Sequence, residues 1–159
     1  MRKILPIILF AFFVLMSACQ PITLPNAQSN GAVVQQVGQT PVPGSRFNKL
    51  FPKHEGDFDL VYTQEKVGFV EAKLNKKGDE VATLAISDTA TNPSATDKYK
   101  AATQKIGGYP AVAVGDNGTA ILVANRFQVQ VRSKQASFSA SDRATWLTKF
   151  DLAGLAGLK

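Results

Sequence analysis

Few side chains in this 159-residue chain have types and spacing that chemistry would recruit. The only histidine, His54, stands in KHEGDFD, with Glu55, Asp57 and Asp59 close behind it. An imidazole and three carboxylates in so short a run could offer ligands to a cation. The spacing is not that of a calcium-binding loop, and a zinc site would ask for more His or Cys. The run is therefore expected to be exposed loop charge. A Ser-His-Asp triad would have to recruit His54, and no serine stands in a G-x-S-x-G setting. GDNG (115–118) invites a phosphate-nest reading but is better explained as a hairpin tip, and no P-loop or G-x-G-x-x-G pattern occurs. Asp88, in ISDTATNP, is the acid to consider for acid/base work, although a local role capping the turn before Pro93 is favoured. Arg126 and Arg132 flank a strongly alternating segment with Gln128 and Gln130 between them. These four are the expected partner surface. No catalytic residue, metal site or cofactor is expected.

Cys19 is the only cysteine, so the chain has no intramolecular disulfide and no CxxC pair. The residues before it read RKILPIILFAFFVLMSA, with Arg2 and Lys3 first, an apolar run from Ile4 to Met16, and small Ser17 and Ala18 at the end. A charged start, apolar middle and small-residue end make the pattern of a secretory signal peptide. The 13-residue run is too short for a transmembrane helix, which needs about 20 residues. LMSAC resembles the lipobox of bacterial lipoproteins, departing from it at Met16, where Leu is usual. The resemblance covers the first 20 residues. It implies cleavage before Cys19 and fatty acylation of that residue, palmitate being one such chain. A single acyl chain anchors only marginally, at about 0.8 kcal/mol per buried CH₂, and the two or three chains of this lipoprotein class would hold firmly. Gln20, rather than Asp, resembles the outer-membrane sorting context of enteric bacteria. The implied location is the cell envelope: the outer membrane, facing the periplasm, if the source is Gram-negative.

The formal charge is +6, and +4 remains once Arg2 and Lys3 are set aside. Cations and acids are interspersed, which argues against a nucleic-acid surface and leaves room for a weak attraction to anionic lipid head groups. Residues 20–44 contain no charged residue, four prolines and three glycines. This composition predicts a disordered linker spanning roughly 27 Å as a flexible coil; GAVVQQV within it is the less favoured candidate for an edge strand. The organisation expected is a signal peptide over 1–18, lipidated Cys19 and linker to 44, and one domain over 45–159.

The elements that must position these residues begin near Ser45. Phe47, Leu50 and Phe51 fall at helical spacing for one buried turn before Pro52. FDLVYT (58–63), KVGFVEAKLN (66–75) and VATLAIS (81–87) read as strands, the last two joined through a Gly78 turn. Asn92 and Pro93 open a predicted helix with Ala95, Tyr99, Ala102 and Ile106 on one face, and GGYP (107–110) stops it. AVAVGDNGTAILVANRFQVQVRS (111–133) carries two or three strands, with Asn125-Arg126 either a turn between strands, which is favoured, or part of one long strand. Ser139 and Asp142 predict a capping box before an apolar face of Trp146, Leu147 and Phe150, and Leu152, Leu155 and Leu158 predict a short closing helix.

The expected class is α+β: an antiparallel sheet of four to five strands with helices packed against it. This element order is similar to the PsbP/Mog1-like small domains, a resemblance with no shared motif and so no transferred residue. A domain of this kind on a leash reads as a non-enzymatic binding or assembly module at the cell envelope, held to the membrane by lipid and meeting a protein partner there. The alternative is a periplasmic small-ligand carrier or hydrolase with a pocket between sheet and helices.

Overall fold

A computed structural model describes residues 39–159. It contains β1 (Phe58–Lys66), β2 (Phe69–Lys76), β3 (Asp79–Asp88), β4 (Gln104–Ile106), β5 (Tyr109–Val114), β6 (Gly118–Val123) and β7 (Phe127–Ser133), followed by α1 (Ala140–Thr148) and α2 (Leu152–Ala156). The strands form one antiparallel sheet in the order β1-β2-β3-β7-β6-β5-β4. Two meanders, β1–β3 and β4–β7, are thus joined where β3 pairs with β7.

Period-2 alternation sends one set of side chains from each central strand into a single core. Val70, Ala72 and Leu74 of β2, Ala82, Leu84 and Ile86 of β3, and Phe127, Val129 and Val131 of β7 are all buried there. The layer covering this face comes from both ends of the domain. Two 3-10 turns, Gly44–Arg46 and Asn48–Leu50, bring in Phe47, Leu50 and Phe51, while α1 and α2 bring in Trp146, Leu147 and Leu155, with Phe150 between them. Phe47 meets Phe127 edge-on at 5.9 Å, and Phe51 meets Phe150 at 5.1 Å. α1 starts with the predicted capping box, in which Ser139 accepts from the Asp142 amide and Asp142 accepts from the Ser139 amide.

The sheet has seven strands where four to five were expected. The smallest, β4, is three residues long, too short for alternation to show, and it occupies positions assigned to the end of a helix. That helix is instead a 3-10 segment, Pro93–Tyr99, and Ile106 pairs with Tyr109 across a β-hairpin. Gly107 and Gly108 both have positive φ (59° and 86°). Two consecutive residues of this kind close a tight hairpin whose twist matches its strands, so the glycines read as a helix stop make a strand turn. The turn favoured between the last two strands is present but one residue earlier. Ala124 and Asn125 take positive φ (50° and 53°), and the Arg126 amide donates to the Val123 carbonyl at 3.0 Å.

The packed unit also begins before Ser45. Val42 is 3 % exposed. Its amide donates to Asp88 Oδ2 at 2.9 Å and its carbonyl accepts from the Gly68 amide at 2.8 Å. Its neighbours Pro41 and Pro43 carry no N–H to satisfy, so the few hydrogen bonds of Val42 and of the Thr40 carbonyl suffice to anchor this uncharged segment against the sheet. The rest of the expected linker, the signal peptide and Cys19 lie outside the described residues. Among the described residues, no helix is long and apolar enough to cross a membrane.

Candidate functional site

The second face of the sheet is only half covered. Tyr99, from the 3-10 segment Pro93–Tyr99, lies over Ala120 and Leu122 of β6, with Val112 and Val114 of β5 alongside. Burial in this small apolar cluster pushes the Tyr99 phenol well above its usual range. Its hydroxyl donates to Gln128 Oε1 at 3.0 Å, and Gln128 Nε2 in turn faces Gln130 Oε1 at 3.4 Å.

Beyond Tyr99 the face is open, and the register builds it in rows. Phe69, Ser87, Gln128 and Leu122 form one row across β2, β3, β7 and β6; Glu71, Ala85, Gln130 and Ala120 form the next; Lys73, Thr83, Arg132 and Gly118 form the third. Three successive outward residues of β3 are short: Thr83, Ala85 and Ser87. Those of β2 and β7, on either side, are long. A trough therefore runs along β3, about 13 Å from residue 83 to 87 and two strand spacings, about 10 Å, between its walls. It encloses an open hollow of about 300 Å³ floored by Thr83, Ala85 and Ser87.

Apart from the Phe69 ring both walls are polar, and they are largely fixed. On the β2 side Lys73 pairs with Glu80 at 2.8 Å, Glu71 Oε1 accepts from Thr63 Oγ1 at 3.1 Å, and the Lys66 ammonium lies 5.1 Å over the Phe69 ring. On the β7 side Arg132 Nη1 donates to Asn117 Oδ1 at 2.8 Å. Donors and acceptors thus face each other across a floor of small side chains. The arrangement suits hydrogen bonding to an extended chain laid along β3.

Of the four residues expected to form a partner surface, the structure brings Gln128, Gln130 and Arg132 onto this face. Arg126 stands apart. The β6–β7 turn ends the alternation before it, so its side chain leaves the face and meets Asp88 at the end of β3. Arg126 Nε donates to Asp88 Oδ1 at 2.9 Å and Nη2 to Oδ2 at 2.8 Å, with the Arg126 side chain 13 % and that of Asp88 0 % exposed. Nη2 also donates to the Thr40 carbonyl at 2.9 Å. Burial works to raise the Asp88 pKa, but the Arg126 hydrogen bond, the Val42 and Ala90 amides and the Arg126 charge outweigh it and hold the carboxyl below its ordinary range. Asp88 also caps the 3-10 turn Thr89–Thr91 through Ala90, the local role favoured from sequence. This junction locks the entering chain, the end of β3 and the β6–β7 turn together.

The KHEGDFD acids diverge. His54 pairs with Asp59 at 2.9 Å, Asp57 with Lys77 at 3.4 Å, and Glu55 with Lys149. Among the described residues no three His, Cys, Asp or Glu side chains converge as metal ligands. GDNG forms the predicted tip between β5 and β6.

Thr83, Ala85 and Ser87 are the site residues that sequence reasoning missed. Their signal was present in VATLAIS: large residues alternate with short ones, which places the short set together on the face opposite the core.

No protein-family model, curated protein or solved structure matches this chain.

Proposed function

We propose that this chain is a bacterial lipoprotein, anchored through lipid on Cys19, whose α+β domain is a non-enzymatic binding module for an extended segment of an envelope protein. The trough along β3 is the observation that carries this reading. It is long enough for about four residues of extended chain, is walled by polar groups on both sides, and is left open by the helices, which lie on the other face of the sheet. The partner surface is Gln128, Gln130 and Arg132 with the β3 floor and the β2 wall. Arg126 serves that surface only indirectly, by fixing the turn that starts β7. The anchor adds to this: a domain held near the membrane by lipid on Cys19 meets a partner there at a raised effective concentration. With a Gram-negative source, the location is the periplasmic side of the outer membrane.

Two measurements test the reading. The intact mass of the mature chain is expected to correspond to a start at acylated Cys19; an unmodified cysteine, or a start elsewhere, removes the anchor. Ala85→Arg fills the trough floor with a long side chain. It is expected to abolish partner binding while leaving the circular dichroism spectrum unchanged, and retained binding by a folded variant would remove the trough from the proposal.

A further inference from the structure

A second polar feature lies at the start of α1 and adjoins the β7 end of the trough at Lys134. Arg143 is 9 % exposed. Its Nε donates to Thr119 Oγ1 at 2.9 Å and its Nη1 to Ser133 Oγ at 2.8 Å. Both acceptors are neutral hydroxyls. The Ser133 hydroxyl donates onward to the Phe138 carbonyl at 2.6 Å, which fixes the lone pair it presents to Arg143. Among the described residues no carboxylate forms an ion pair with Arg143, and Nη2 has no protein acceptor. The contrast with Arg126, held side-on by a carboxylate, is direct.

The charge of Arg143 is thus met by neutral partners alone, and its Nη2 is left to solvent. Arg143 lines an open hollow of about 430 Å³ between the β5–β6 tip, the 134–138 loop and the start of α1. Ala140, whose amide has no acceptor within the helix, lines the same hollow, and the positive end of the helix favours an anion there.

We propose that this hollow is a binding site for one carboxylate, taken by Nη2 of Arg143 with the Ala140 amide beside it. Exposed Lys134 and Asp116 line the rim with opposite charges, so buried Arg143 sets the net charge of the hollow and matches a single negative charge. Exposed Asp116 on the rim disfavours a phosphate dianion by like-charge repulsion. The carboxylate is that of a small organic acid or of a protein's Asp or Glu side chain.

The test is a titration of the full-length chain in neutral detergent at constant ionic strength. Nitrogen-15 NMR follows the Arg143 Nε–H and the amides of Ala140 and Ser141. Sodium acetate and the blocked tripeptide Gly-Glu-Gly are each expected to give saturable shifts at these three positions, whereas sodium chloride and sodium phosphate do not. Tighter binding of the tripeptide assigns a protein side chain as the source, and equal binding a small acid. Arg143→Gln is expected to weaken acetate binding at least ~10-fold, the loss of a charge-assisted hydrogen bond. Asp116→Asn, which leaves the buried groups untouched, is expected to tighten it by about two- to threefold, as for a screened rim charge. Acetate shifts no larger than those of chloride, phosphate binding tighter than acetate, or unchanged affinity in Asp116→Asn would each overturn the proposal.

Discussion

Replacing Asp88 by Asn tests how the domain holds its entering chain. The wild-type carboxylate is fully buried, takes two hydrogen bonds from Arg126, and accepts from the amides of Val42 and Ala90. Breaking a buried ion pair from one side costs about 3–5 kcal/mol, because the partner charge is left uncompensated. Two features reduce that figure here. The Arg126 side chain is 13 % exposed and can be partly hydrated, and the Asn carbonyl keeps one acceptor for an amide. The expected loss is about 2–4 kcal/mol, which for a domain of this size lowers the melting temperature by roughly 8–16 °C. The assay is urea and thermal unfolding of the full-length chain by circular dichroism, with Asp88→Asn, Arg126→Met and the double variant forming a cycle. The double variant is expected to cost at least ~1.5 kcal/mol less than the sum of the singles. pH gives an independent check. The folded carboxyl has a pKa below its unfolded value, so its contribution is complete above about pH 4 and disappears as pH falls through the folded pKa. Wild type and Asp88→Asn should therefore differ most near neutrality and converge as the pH falls below the ordinary carboxylate range. A loss under ~1 kcal/mol, additive singles, or a difference that grows in acid would refute the junction.

Leu155→Ala removes a fully buried side chain of α2 from the core and is expected to cost about 2–5 kcal/mol in urea unfolding; a loss under ~1 kcal/mol would mean that α2 is not packed as described. Ser139→Ala removes the side-chain half of the α1 capping box and is expected to cost about 1 kcal/mol, with no effect on the binding proposed for the trough on the opposite face. Early proteolytic cleavage should spare residues 42–44 in wild type and reach them in Asp88→Asn, since Val42 gives one of its two backbone hydrogen bonds to Asp88; mass mapping of the first fragments checks this.

Alternation made the core legible. FQVQVRS placed Phe127, Val129 and Val131 inside and Gln128, Gln130 and Arg132 outside, and the structure has that arrangement. The capping box of α1 and the turn carrying Phe47, Leu50 and Phe51 were equally readable, because each is closed by hydrogen bonds only a few residues apart. What could not be read was non-local. Arg126 looked like one more outward residue until the turn geometry of Ala124 and Asn125 removed it from the strand. Its partner, Asp88, lies 38 positions away in sequence. The spacing of Ala95, Tyr99, Ala102 and Ile106 fits a helix, yet Tyr99 is anchored on the outer face of β6 and Ile106 joins a strand, so two separate packing demands produced one apparent period. The trough needed both flanking strands: short residues on β3 become a groove only when their neighbours across the register are long.

The most direct test of the trough as a binding surface is photo-crosslinking from one of its walls. A small diazirine amino acid placed at position 130 of the full-length chain, in cells of its source, should give one discrete adduct. That adduct should vanish when Ala85→Arg is added, and a diazirine at exposed position 105, on the far edge of the sheet, should not produce it. No adduct from position 130, the same adduct from position 105, or an adduct that survives Ala85→Arg would contradict the assignment.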